Sequence, residues 1–136
     1  MIVRAYIKVF IFLLILPAAA AEQFKCVTKS HMVTSDEGYQ KSSSQAHMIN
    51  WDFKVNVSTG DIEGNLAGNT ALPNKEVIIV DHGHPGMPVT IVTTRGGIFG
   101  YLADLLVIKT WVEKFHKPFD LYISGYGLFS GTCTRF

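Results

Sequence analysis

The sequence is poor in cysteine, in net charge and, beyond its first twenty residues, in long apolar runs. With 12 Lys and Arg against 11 Asp and Glu, it lacks the basic field on which non-specific nucleic-acid binding depends, and its cations are interleaved with acids. No nucleic-acid partner is expected. A phosphate cradle is missing as well. Gly60-x-x-x-Gly64 and Gly96-Gly97 have neither the Lys-Ser/Thr that completes a P-loop nor a helix behind them. There is no G-x-S-x-G elbow, and Ser58, Ser124 and Ser130 lie in turn-like settings where serine serves the backbone. No C-x-x-C pair offers redox chemistry. These absences make the chain an unpromising enzyme, and no cofactor is implied.

What is present begins with an address. Arg4 and Lys8 form a basic start, Val9 to Leu16 an apolar run, Pro17 a break and Ala18 to Ala21 a small-residue cleavage site, so residues 1–21 read as a secretory signal peptide. The run falls short of the ~20 residues a membrane span needs, and no later stretch of that length lacks Lys, Asp or Gly. The expectation is a periplasmic or secreted protein with no stable membrane span after cleavage. Losing Arg4 and Lys8 leaves residues 22–136 almost uncharged, enough chain for a single domain.

Cys26 and Cys133 both survive cleavage, and in an oxidising compartment an even pair is expected to form a disulfide. Such a bond places the first and last strands side by side or face to face.

Strand signals recur along the mature chain. Phe24 to Val33 has mixed alternation and β-branched content, and Ser35-Asp36-Glu37-Gly38 reads as a turn. Residues 40–47 are polar and aperiodic, hence a loop. Trp51 to Val57 alternates Trp, Phe, Val and Val with Asp, Lys and Asn, and turns at Ser58 to Asp61 into a partner strand, Asp61 to Leu66. Gly68 to Lys75 reads as a loop. Val77 to Val80 has the continuous apolar character of a strand buried on both faces, and Asp81 to Pro88 is too rich in Gly and Pro to extend it. Val89 to Thr94 and the run from Ile98 read as a hairpin about Arg95-Gly96-Gly97. Residues 98–115 fit a helical stripe and a strand alike, with the strand favoured and one short helix the alternative. Phe119 to Ser124 and Leu128 to Thr134 complete the set. The fold expected is mainly β: one antiparallel barrel or sandwich of seven or eight short strands.

With these elements placed, three motifs carry a resemblance. They are Ser58-Thr59-Gly60 with Gly64, Lys117-Pro118-Phe119, and the closing Phe129-Ser130-Gly131-Thr132-Cys133. Together they resemble small exported bacterial all-β proteins of unknown function with a disulfide joining the two ends of the chain. The similarity runs through most of the mature chain and implies fold and export; it brings no activity and no catalytic residues.

One constellation has metal-ligand chemistry. In an extended backbone His82 and His84 project to one side, and Asp81 or another His would complete a Cu or Zn site. Met32, Met48 and Met87 each lie within three residues of a histidine, which adds a soft ligand to the mix, although His31 and Met32 in a strand face opposite ways. Asp61 and Glu63 share a strand face beside a turn, a position more typical of solvated surface than of paired catalytic acids. The aromatic residues Trp51, Phe53, Phe99, Trp111, Phe119, Tyr122 and Phe129 are expected mostly in the core, with one or two facing a pocket or a partner. The functional expectation is a non-enzymatic binding module for a protein or a small ligand. The alternative is a periplasmic metal-binding protein using Asp81, His82 and His84.

Overall fold

The computed structural model of the chain describes residues 22–41, 48–65, 68–70, 72–97 and 100–136. The expected signal peptide, 1–21, lies outside the described residues, as does most of the expected loop at 40–47.

Nine strands form one antiparallel sheet, curled into a half-barrel: β1 Gln23–Ser35, β2 Gly38–Lys41, β3 Asp52–Asn56, β4 Ile62–Gly64, β5 Lys75–His82, β6 Val89–Gly97, β7 Gly100–Ile108, β8 Lys117–Ile123 and β9 Gly127–Arg135. The order across the sheet is β4-β3-β1-β9-β8-β7-β6-β5, with β2 paired to the far end of β1. No α-helix occurs among the described residues. Of the 98–115 region, residues 100–108 form strand β7 and 109–115 turn and bend, because Leu106 and Ile108 alternate inward while Leu105 and Val107 stay on the outer face.

Several boundaries differ from the sequence reading, each for a physical reason. The described residues form nine strands where about seven or eight are expected, and β1 runs for 13 residues because it pairs with β3 and β9 along its first half and with β9 and β2 along its second. Arg95, Gly96 and Gly97 belong to β6, since their partners Leu102, Tyr101 and Gly100 continue the ladder past them. The Asp61 to Leu66 strand shortens to Ile62–Gly64. Val77 to Val80 is not buried on both faces: β5 lies at the sheet edge, and Ile78 and Val80 are 43% and 62% exposed.

The concave face holds the core. Phe24, Cys26, Phe53, Val55, Val89, Ile91, Leu106, Ile108, Phe119, Leu121, Phe129 and Cys133 are buried there. Phe53 and Phe119 meet edge to face, 5.2 Å between centroids and 85° apart, and each buried ring stabilises the fold by roughly 2 to 3 kcal/mol through lost apolar surface. Cys26 and Cys133 are register partners of β1 and β9 and are joined by a disulfide, so the first and last strands lie side by side. Gly131 shares their face. A Cβ there would collide with the Val27 carbonyl oxygen, because β1 shifts register between Thr28 and Ser30 and its backbone bends towards β9. The closing Phe-x-Gly-x-Cys pattern is therefore an inward stripe of period two: ring, gap for the bent strand, disulfide.

The two edges of the sheet, β4 and β5, are bridged by side chains. Asn69 is 2% exposed; its Oδ1 accepts from the Ile62 amide at 2.7 Å, and its Nδ2 donates to Gly60 O and Thr93 Oγ1, both at 3.0 Å. The Asn69 amide also donates to Ile62 O at 2.8 Å. One asparagine thus satisfies both backbone groups of Ile62 as a neighbouring strand would, and ties that strand to β6. The Lys75 to Asp61 ion pair, 3.9 Å, and the His82 Nδ1 to Val57 O bond, 3.2 Å, cross the same seam.

Candidate functional site

At one end of the half-barrel the interior turns polar and opens. β6 and β7 send Thr93, Arg95 and Asp104 inward on the same side as Ile91 and Leu106. Arg95 Nη2 lies 3.5 Å from Asp104 Oδ1, and the same oxygen accepts from the Ser124 amide at 2.9 Å. Arg95 Nε is buried with no hydrogen-bond partner among the described residues, so the guanidinium uses little of its donor capacity.

A cleft of about 250 Å³ opens over this pair, lined by Met48, Trp51, Asn65, Gly68, Leu72, Arg95, Asp104, Ile123, Tyr126 and Phe129. Its sides come from separate parts of the chain: the turn before β3, the β4–β5 connection and the β8–β9 turn. Thr28, fully buried in β1, fixes the first of these. Its hydroxyl reaches Met48 O at 2.8 Å and Trp51 O at 3.0 Å, its amide donates to Trp51 O, and its carbonyl accepts from Asn50. His31 fixes the last. It stacks on Phe129, 4.1 Å between centroids at 12°, and Nε2–H donates to Tyr126 O at 2.6 Å. A carbonyl only accepts, so the proton sits on Nε2, leaving Nδ1 buried and unpartnered among the described residues. His31 and Met32 face opposite sides, as strand alternation requires.

The Asp81, His82 and His84 constellation takes a different form from the extended one. Gly83 has φ of +82°, which breaks the alternation that would aim both imidazoles one way. His82 instead bonds Val57 O. Asp81 Oδ1 accepts from the Gly83 amide at 2.7 Å and the His84 amide at 3.3 Å, with His84 Nδ1 also at 3.3 Å. These hydrogen bonds, led by that of Gly83, hold the Asp81 carboxyl below its ordinary range. Among the described residues no group of three His, Cys, Asp or Glu side chains is placed to hold a metal ion. Met87 is half-exposed, and His47 lies outside the described residues. Asp61 is engaged by Thr59 Oγ1 at 2.8 Å and by Lys75, in keeping with surface acid chemistry.

Of the aromatic residues expected in the core, Phe53, Phe119 and Phe129 are buried, Trp51 is half-buried in the cleft, and Trp111 and Tyr122 are exposed; Phe99 lies outside the described residues. Arg95, Asp104, Asn69 and His31 were not singled out by sequence reasoning as site residues. Asp104 left one signal: a single acid inside the apolar run from Tyr101 to Ile108.

The outer face carries a second feature. Register partners Met32, Leu128, Tyr122, Leu105, Val92 and Ile78 form an unbroken apolar row across β1, β9, β8, β7, β6 and β5. At the usual strand spacing, the row is about 24 Å long. Polar pairs flank it, including Ser30 with Ser130 at 2.5 Å and Lys109 with Asp120 at 2.7 Å. Among the described residues no helix is long and apolar enough to cross a membrane. A scan against protein-family models and searches of curated proteins and of solved structures give no match.

Proposed function

We propose that the chain is an exported, non-enzymatic binding module whose working surface is the cleft at the mouth of the half-barrel. The observation that carries this reading is the Arg95–Asp104 pair at the base of a cleft of about 250 Å³ with Trp51, Tyr126 and Phe129 in its lining. Apolar surface with a few convergent polar groups is the usual make-up of a small-ligand site. The disulfide supports export, since such bonds persist in oxidising compartments.

The test is retention of the folded 22–136 domain's ligand from the medium of the producing cell, read by mass spectrometry of the native protein. Tyr126→Ala and Arg95→Gln are expected to lose the ligand, and equal retention by both variants would reject the cleft as the site. The apolar row favours a second reading, a protein partner. Leu105→Lys abolishing capture of a purified partner, with Tyr126→Ala leaving it intact, is the result that would select it.

A further inference from the structure

We infer that the cleft takes a neutral, hydroxyl-bearing ring, a sugar residue, a ligand class that rests on the cleft being the working surface. Charge argues first. Among the described lining residues Arg95 and Asp104 are the pair of opposite formal charge, 3.5 Å apart, and their charges cancel. An anion approaching the guanidinium meets the Asp104 carboxylate at almost the same distance, and a cation meets the reverse. A neutral ligand suffers neither repulsion.

Hydrogen-bonding capacity argues next. Arg95 offers donors, Asp104 acceptors and Asn65 both, and they converge on one cleft. Adjacent hydroxyls of a sugar ring each donate and accept, so they can answer a donor and an acceptor fixed side by side. A purely apolar ligand would desolvate these groups without answering their unused donors and acceptors.

The rest of the lining suits the other side of such a ring. Trp51 and Tyr126 are among the lining residues; an aromatic ring is negative over its centre, and the C–H bonds of a pyranose face are weakly positive. Tyr126 is 48% exposed, at the rim, while its backbone is held by His31. A cleft of about 250 Å³ has room for one sugar ring and its substituents.

The experiment uses Trp51 emission in a Trp111→Phe background. Trp111 is 47% exposed and does not line the cleft, so the remaining tryptophan reports the site. The probes are methyl β-glucopyranoside, cellotriose, glucuronate, glucosamine and decanoate. Saturable responses to the two neutral sugars, weakened about tenfold or more by Tyr126→Ala and by Arg95→Gln, are expected. Glucuronate and glucosamine are expected to bind more weakly than the glycoside. Tighter binding of cellotriose would point to the end of a glycan chain, and equal binding to a free monosaccharide; either supports the class. Tighter binding of glucuronate, glucosamine or decanoate overturns the neutral-sugar class while keeping the cleft as a ligand site. No response to any probe, with folded protein confirmed by dispersed amide spectra, overturns the class; ligand retention by the native domain then judges the binding-module reading separately. Tyr126→Ala, a change at an exposed position, keeps the test decisive if Arg95→Gln fails to fold.

Discussion

Asn69 Nδ2 donates to Thr93 Oγ1 at 3.0 Å, a bond between the β4–β5 connection and the interior of β6 that no strand pairing provides. Both residues are almost wholly buried, so the bond is shielded from water and the half-barrel's seam depends on it. It also closes the floor of the cleft: a small crevice lined by Asn69, Thr93, Asp104 and Ile123 lies directly adjoining, sharing Asp104 and Ile123 with the cleft above.

Asn69→Ala is expected to destabilise the domain by about 2 to 4 kcal/mol, because it leaves the Ile62 amide and Gly60 carbonyl without their buried partner. Urea denaturation of the oxidised protein measures it. Combined with Thr93→Val, the loss is expected to be less than the sum of the two single losses, since both remove the same bond.

Replacing Cys26 and Cys133 together by alanine is expected to cost about 4.7 kcal/mol, the chain-entropy value for a closed loop of roughly 100 residues; the separation here is 107. The β1–β9 ladder persists on its own backbone bonds, so far-ultraviolet circular dichroism under native conditions is expected to stay β-like while the denaturation midpoint falls.

Gly131→Ala is expected to cost about 3 kcal/mol through overpacking, since its Cβ meets the Val27 backbone oxygen rather than a side chain that can swing away. Ser130→Ala, whose neighbour across the ladder is another serine, serves as the mild control at about 1 kcal/mol. Thermal melts of the two variants side by side would show the contrast.

The Asp81 turn is expected to loosen in acid. Its carboxyl is held below the ordinary value of 3.8, so the stabilisation is fully present above that value. It fades as pH falls through and below 3.8, when the proton removes the acceptor of the Gly83 and His84 amides. Loss of exchange protection at those two amides, absent from an Asp81→Asn variant's pH profile, is the measurement.

Zinc or copper is expected to shift the melting temperature of the wild type and of the His82→Ala/His84→Ala double variant equally, because Gly83 turns the chain between the two rings and Asp81 is committed to the turn. A rise confined to the wild type would restore the metal-binding alternative.

Local pattern made much of this architecture legible. Alternation in Trp51 to Val57, the Pro and Gly punctuation and the paired cysteines each express a preference of the chain itself: a period of two, a fixed or permissive φ, an oxidisable pair. The inward direction of Phe53, Val55 and Cys133 follows from those preferences. Edge position does not. Val77 to Val80 reads the same whether a strand lies in the middle of a sheet or at its rim, and only the order β6-β5 at the end of the sheet exposes Ile78 and Val80. The extended geometry expected for His82 and His84 is lost for a comparable reason, since the positive φ at Gly83 turns the chain between them.

The sequence by itself determined that this is a strand-built chain with cysteines whose pairing brings β1 and β9 together, because each of those rests on local stereochemistry or on composition. The tertiary structure alone decided where Arg95 meets Asp104, which face Asn69 seals and which six residues form the outer apolar row. Those relations join strands brought into register by the curl of the whole sheet, and such non-local pairing leaves no trace in residue spacing.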